Sequence, residues 1–180
     1  MTTAAPRLDA GLDIDVVLQS AVWEQQGDAE TIVRDALAAA AACADCPAFA
    51  EVVVALSADA AVQQLNRDWR GRDAPTNVLS FPAARIPGPA GAPQMLGDMV
   101  IAYETLAREA QAEGKPFAHH LAHLTVHGFL HLLGHDHETD AEAAAMEDLE
   151  RVILQRLGIP DPYAGSGDAP AAAARAINPA

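Results

Sequence analysis

The period at which apolar residues recur changes several times along the chain, and each change marks an element. From residue 12, Leu12, Ile14, Val16 and Leu18 fall on one side and Asp13 and Asp15 on the other, the two-residue repeat of a half-buried strand. Residues 29–44 take helical spacing, with Ile32, Val33 and Leu37 inward and Asp28 placed to cap the start. Residues 51–56 are a short β-branched run and predict a second strand. Ser57 is placed to cap the next helix, whose stripe is Ala58, Val62, Leu65 and Trp69. Val78–Phe81, bounded by Pro75 and Pro82, predicts a short strand, and the prolines favour a sheet edge or strand end. Residues 83–95, rich in proline, glycine and alanine, predict a loop over a cleft. Residues 96–103 predict another strand and 104–113 a short helix, stopped by Gly114-Lys115-Pro116. At the end, Thr139-x-x-Glu142 is a capping box opening a helix with Met146, Leu149, Ile153 and Leu157 inward, ended by Gly158 and Pro160. Strands and helices with short connections and no repeats predict one α+β domain over residues 1–163: a mixed sheet of about four strands with helices packed on it. The alanine-, glycine- and proline-rich residues 164–180 read as a disordered tail.

The stretch left over is unlike the rest. All seven histidines lie between residues 119 and 137, and His119, His123, His127 and His131 recur every four residues. On a helix that repeat stacks side chains on one face. Gly134 suits a helix end, because glycine tolerates the left-handed conformation there. The chain then turns back and presents His135, Asp136 and His137. The best chelating set is His127, His131 and His137. Three neutral imidazoles suit zinc and leave a coordination position for water, the mark of a catalytic site, although nickel, copper and iron also accept three histidines. His123 is a candidate hydrogen-bond donor behind the ligands or part of the cleft wall. His119 and His120 read as surface residues at a helix start, and His135 is open to either role.

A thermolysin-type helix carries glutamate after its first ligand, as general base. Gly128 stands there instead, which argues against peptide hydrolysis and leaves room for a group to approach the metal. Cys43-x-x-Cys46 has no second cysteine pair with which to hold zinc, so these read as ordinary thiols of a reducing compartment. The net charge of −14 argues against a protein that coats nucleic acid by bulk electrostatics. A nuclease with this charge needs a local basic patch or a partner that delivers it. Arg67, Arg70 and Arg72 form such a local cluster, in a chain with only eleven basic residues. Solvation and helix-end charge are the plain account of Arg67 and Arg72. No apolar run is long enough to span a membrane, and the first residues lack the pattern of a signal peptide, so a cytoplasmic protein is expected.

His127-Gly-Phe-Leu-His131-Leu-Leu-Gly-His-Asp-His137 resembles the signature His-Gly-x-Leu-His-Leu-x-Gly-x-Asp-His of the YbeY family, bacterial endoribonucleases also called rRNA maturation factors. Two further blocks follow the family's order. Residues 65–81 resemble Leu-Asn-x-x-Tyr-Arg-x-x-Asp-x-Pro-Thr-Asp/Asn-Val-Leu-Ser-Phe, with Trp69 in the tyrosine's place, and residues 96–99 resemble Leu-Gly-Asp-Ile. The resemblance spans roughly residues 12–163. It implies a zincin-like fold whose metal helix faces a cleft along the sheet edge. It also implies a zinc-dependent, single-strand-selective endoribonuclease acting in rRNA maturation, including 16S 3′-end processing, and in ribosome quality control. One Zn2+ per chain would sit on His127, His131 and His137, and these with Arg70 would be the catalytic residues. A guanidinium at Arg70 is suited to grip a phosphate and offset developing charge. The implied partners are single-stranded RNA, rRNA above all, and the small ribosomal subunit or a ribosomal protein, with no DNA and no membrane. Asp98 is a candidate either to support a ligand histidine or to fix a turn. Two other readings remain: a metallohydrolase of another bond, and a binding-only ribosome-assembly factor whose structural metal is closed by His123, His135 or Asp136.

Overall fold

The computed structural model describes residues 11–84, 86, 89 and 92–164. The first ten residues, residues 85, 87, 88, 90 and 91 of the 83–95 loop, and the tail beyond residue 164 lie outside the described residues.

Among the described residues, four strands and five helices follow one another as β1 (Leu12–Leu18), α1 (Ala29–Cys43), β2 (Ala50–Ser57), α2 (Asp59–Arg70), β3 (Val78–Pro82), β4 (Gln94–Ala102), α3 (Tyr103–Ala112), α4 (Phe117–Leu132) and α5 (Asp140–Arg156), with a 3₁₀ turn at Ala21–Gln25. The sheet order is β1-β2-β4-β3. β1, β2 and β4 are parallel, and β3 joins β4 antiparallel at the edge. The α+β class, the mixed four-stranded sheet and the edge position of β3 are as the sequence predicts.

Side chains alternate across a strand, so the sheet has two apolar faces. Val52, Val54, Leu56, Val78, Met99 and Ile101 face the larger core, shared with α1, α3, α4 and α5. Ala55, Leu79, Val100 and Ala102 face the opposite way, under Val62 and Leu65 of α2. The metal-type helix and the arginine-bearing helix therefore pack on opposite faces, with β3 as the free edge beside both.

Two glycines set this arrangement. Gly97 takes φ +134°, and a Cβ there would lie 2.1 Å from the Phe81 carbonyl oxygen. The register between β2 and β4 shifts beside it, at Glu51/Val52. Gly128 lets α4 lie close on the sheet: a Cβ would come 2.6 Å from Met99 Cε and 3.0 Å from Ser80 Oγ. Ser80 then donates a hydrogen bond to the Gly128 carbonyl, at 3.0 Å. The room that Gly128 leaves is thus filled by the sheet's side chains.

Several local expectations are corrected. Ser57 does not cap α2; it is the buried last residue of β2, and Ala58 occupies the cap position without a side-chain bond. Asp28 occupies the cap position of α1, but its side chain makes no cap bond. The fourth strand begins at Gln94 rather than 96, and Tyr103 belongs to α3. The 3₁₀ turn has no clear sequence signal. It is held by Trp23, 1% exposed, whose indole donates to the Ser57 carbonyl at 2.8 Å. The capping box at Thr139 and Glu142 is formed as the sequence predicts. Cys43 and Cys46 are half-buried free thiols.

Candidate metal centre

The site begins with how α4 ends. Gly134 adopts φ +95°. Its N–H donates to the His131 carbonyl and that of His135 to the Leu130 carbonyl, both at 3.0 Å. This paired closure is the Schellman form of helix termination. It reverses the chain at once, and it brings the His135 carbonyl onto Nδ1 of His131, at 2.9 Å. Asp136 accepts a bond from the backbone N–H of His137 at 2.8 Å, which shapes the returning strand of chain. His137 thereby comes back over the helix face that carries His127 and His131. Ring centroids are 4.7 Å apart for His127 and His131, 5.0 Å for His131 and His137, and 5.7 Å for His127 and His137. One ring nitrogen from each of the three lies within 4.8 Å of the others.

The hydrogen bonds behind the rings decide their tautomers. A carbonyl can only accept, so His131 carries its proton on Nδ1. Nδ1 of His127 lies 2.7 Å from Oε1 of Glu150. Glu150 is fully buried on α5, at 0% exposure. Burial alone would raise its pKa, but the hydrogen bonds from His123 and His127 outweigh it and hold the carboxyl well below its ordinary value. An ionised carboxylate accepts only, so His127 also carries its proton on Nδ1. Burial, and then the neighbouring His127 and His137, lower His131 to about 4 and keep it neutral near pH 7. The two Nε2 atoms therefore face each other with lone pairs, 3.1 Å apart. Nε2 of His137 is buried with no hydrogen-bond partner. Facing lone pairs and an orphaned buried nitrogen are costly without a cation between them. The donor set fits a divalent metal.

Glu150 holds more than His127. Its Oε2 lies 3.0 Å from Nε2 of His123 and accepts a bond from the Tyr163 hydroxyl. His123 therefore stands behind the candidate ligand His127, sharing Glu150 with it, one of the two roles open to it in the sequence. His120 is not a surface residue: it is 5% exposed and meets Glu109 Oε2 at 2.9 Å, while Asn77 donates to the same oxygen at 3.0 Å. Asp98 neither supports a ligand nor fixes a turn. It lies mid-strand in β4 opposite Phe81, exposed, with the core-facing Met99 beside it. Glu150 is the residue of this candidate site that sequence reading missed. Its signal was a charge inside an apolar stripe, between Met146 and Ile153 on the inward face of the last helix.

Arg70 is the last residue of α2, half-buried, followed by Gly71 at φ +67°. It belongs to α2, whose Val62 and Leu65 pack on the sheet face opposite the larger core.

Fold and donor set together describe an α+β protein in which two histidines of one helix and a third from the turn after it could hold a metal. The family model described as Endoribonuclease YbeY matches residues 18–158. An Endoribonuclease YbeY of Rhodopseudomonas palustris (strain BisB18) is 60% identical over 153 residues, covering 83% of this chain and 91% of the relative. That of Bradyrhizobium sp. (strain BTAi1 / ATCC BAA-1182) is 56% identical over 154 residues, covering 83% and 91%. The solution structure of TM1509 from Thermotoga maritima aligns with TM-score 0.45 and 20% identity, over 87% of this chain and 99% of that one. This chain belongs to the YbeY family.

Proposed function

We propose that this chain is a metal-dependent endoribonuclease that cuts single-stranded RNA during rRNA maturation, at the 16S 3′ end, and serves ribosome quality control in the cytoplasm. The observation that carries the reading is the convergence of His127, His131 and His137 within 4.8 Å, with tautomers set by Glu150 and the His135 carbonyl. Family membership supplies the substrate class, since the relatives are named endoribonucleases. Zinc is the metal we favour, because three neutral imidazoles are a common catalytic zinc set. When bound, such a metal acts as a Lewis acid and brings the pKa of a coordinated water to about 7. The chain's own residues do the rest. Glu150 and the His135 carbonyl lock two rings with Nε2 forward, and Arg70 grips the phosphate and offsets charge that develops there. His127, His131 and His137 are thus both ligands and catalytic residues in this reading. Among the described residues, no helix is long and apolar enough to cross a membrane.

The donor count bears on the binding-only alternative. Among the described residues the group that could share a metal has three members. His123, His135 and Asp136, the candidates to close a structural site, are not members of that group. An open position favours catalysis. The small ribosomal subunit or one of its basic proteins remains the partner we favour, given the net charge of −14.

The test is cleavage of a single-stranded RNA by purified protein of known metal content, beside His127→Ala and Arg70→Ala. The expected result is cleavage by the wild type alone, lost on chelation and restored by zinc, with both variants folded. The same trace of cleavage from all three proteins would overturn the reading in favour of an assembly factor.

A further inference from the structure

The face of the sheet away from the metal centre carries a cavity of about 490 Å³. Its lining includes Leu65 and Trp69 of α2, Phe81 of β3, and Met95, Asp98 and Val100 of β4. That volume falls within the range of roughly 300–1,000 Å³ typical of small-ligand sites. The lining is almost wholly apolar and aromatic, with one carboxylate at the wall. Trp69 is 61% exposed and Met95 is 42% exposed. Trp69 meets Phe81 edge-to-face, with centroids 6.0 Å apart at 74°, so the indole is braced from one side while much of it stays open to solvent. Trp69 and Met95 thus leave apolar surface open at the mouth of the groove.

We propose that this groove docks a nucleobase of the single-stranded RNA substrate, with Trp69 as the stacking surface. The proposal rests on the RNA-cleaving function proposed above and names where that RNA is held. Three observations select a base over other occupants. The groove is lined by two aromatic rings, Trp69 and Phe81, with one carboxylate, Asp98, at its wall, which suits a ring bearing an exocyclic amino group. The residues around Trp69 are the basic stretch of an acidic chain: between residues 65 and 73 three arginines stand against two aspartates, where the whole chain carries −14. The pairs that Arg67 makes with Asp68 and Asp73, at 3.6 and 3.7 Å, are exposed and loose, so it can turn to a phosphate. Finally, the groove is one strand away from the metal helix. Phe81 lines it, and the preceding residue, Ser80, points through the sheet to bond Gly128, beside the ligand His127. An RNA strand crossing the free edge β3 can place one base in the groove and lead its backbone toward the metal face.

Trp23 is buried and Trp69 exposed, so quenching of intrinsic fluorescence by RNA reports Trp69. The experiment titrates the full chain with a 2′-O-methyl adenosine oligonucleotide of about six nucleotides, within the usual size of single-strand sites. An abasic oligonucleotide of the same length is the control. The expected result is quenching and binding with adenosine and much weaker binding without bases. Trp69→Ala should raise Kd for the adenosine strand about 5- to 150-fold and leave the abasic affinity unchanged, while Trp69→Phe keeps most of the affinity. Equal Kd for wild type and folded Trp69→Ala would overturn the proposal, as would equal affinity for both strands. If Trp69→Ala instead leaves RNA binding intact and loses a small-subunit protein, the groove is a protein-docking site and the proposal fails. Wild-type protein that shows Trp69-dependent binding but never cuts RNA would sink the nuclease reading and leave the groove standing.

Discussion

Glu150 illustrates how much one buried charge can organise. A carboxylate taken fully out of water is unfavourable unless its lone pairs are satisfied. Here His123, His127 and Tyr163 meet its two oxygens. Burial and the nearby Glu150 charge push the Tyr163 hydroxyl well above its ordinary pKa, so it stays a donor. Glu150→Gln keeps the shape but exchanges an acceptor for a partial donor against these groups. It should weaken zinc binding about 10- to 100-fold, measured by competition with a chromogenic chelator. An unchanged affinity in a folded variant would mean that Glu150 does not orient His127. The metal-free site also implies a pH dependence. His131 falls from 6.5 to about 4 on folding, so the unfolded chain takes up its proton first as pH drops. That contribution to stability is present above 6.5 and is lost as pH falls toward about 4. Glu150, whose pKa is also lowered, adds a loss of the same sign below 4.5. Urea midpoints of chelator-treated protein should therefore fall steadily from neutral pH into acid. A midpoint flat across that window would contradict the neutral, buried His131.

At the scale of elements, the site is a by-product of terminating a helix correctly. The closure at Gly134 stops α4, turns the chain and supplies the carbonyl that fixes His131. This much was legible in the sequence, because histidines four apart, a glycine and a returning histidine each have one simple geometric meaning. Glu150 was not legible as a partner, because a charge in an apolar stripe does not say which distant side chain satisfies it. The strand order was hidden for a similar reason. Period-two segments reveal strands but not that β4 inserts between β2 and β3. Nor did the Leu-Gly-Asp block reveal what Gly97 does, which is to let β4 pass close to the Phe81 carbonyl. Gly97→Ala tests this. Its φ of +134° is a region that side chains rarely adopt, and the new Cβ would meet the Phe81 carbonyl oxygen at 2.1 Å. Relief requires separating β3 from β4. The expected cost is about 3 kcal/mol or more, the range of severe single substitutions, read as a lost or sharply lowered thermal transition. A variant with wild-type stability would show that the strand pair has slack the packing does not suggest.

For the whole molecule, charge and proposed task pull in opposite directions. A chain at −14 repels polyphosphate at a distance, so RNA cannot be gathered by a broad basic surface. Affinity must come from a few local contacts: the metal face, the base in the groove, and the arginines near Trp69 in the chain. The salt dependence of binding counts those contacts. Single strands release counterions with a log–log slope of about −0.7 for each phosphate neutralised. Arg67, Arg70 and Arg72, if all three engage, set the slope near −2. Base stacking adds affinity without adding slope, so Trp69→Ala should weaken binding while the salt curve keeps its steepness. Arg72→Ala should instead flatten the curve by about 0.7. A wild-type slope steeper than about −5 would mean that many more phosphates are held than this cluster can reach. The basic surface would then lie elsewhere, and Trp69 and its arginines would lose their place as the route by which RNA approaches the metal.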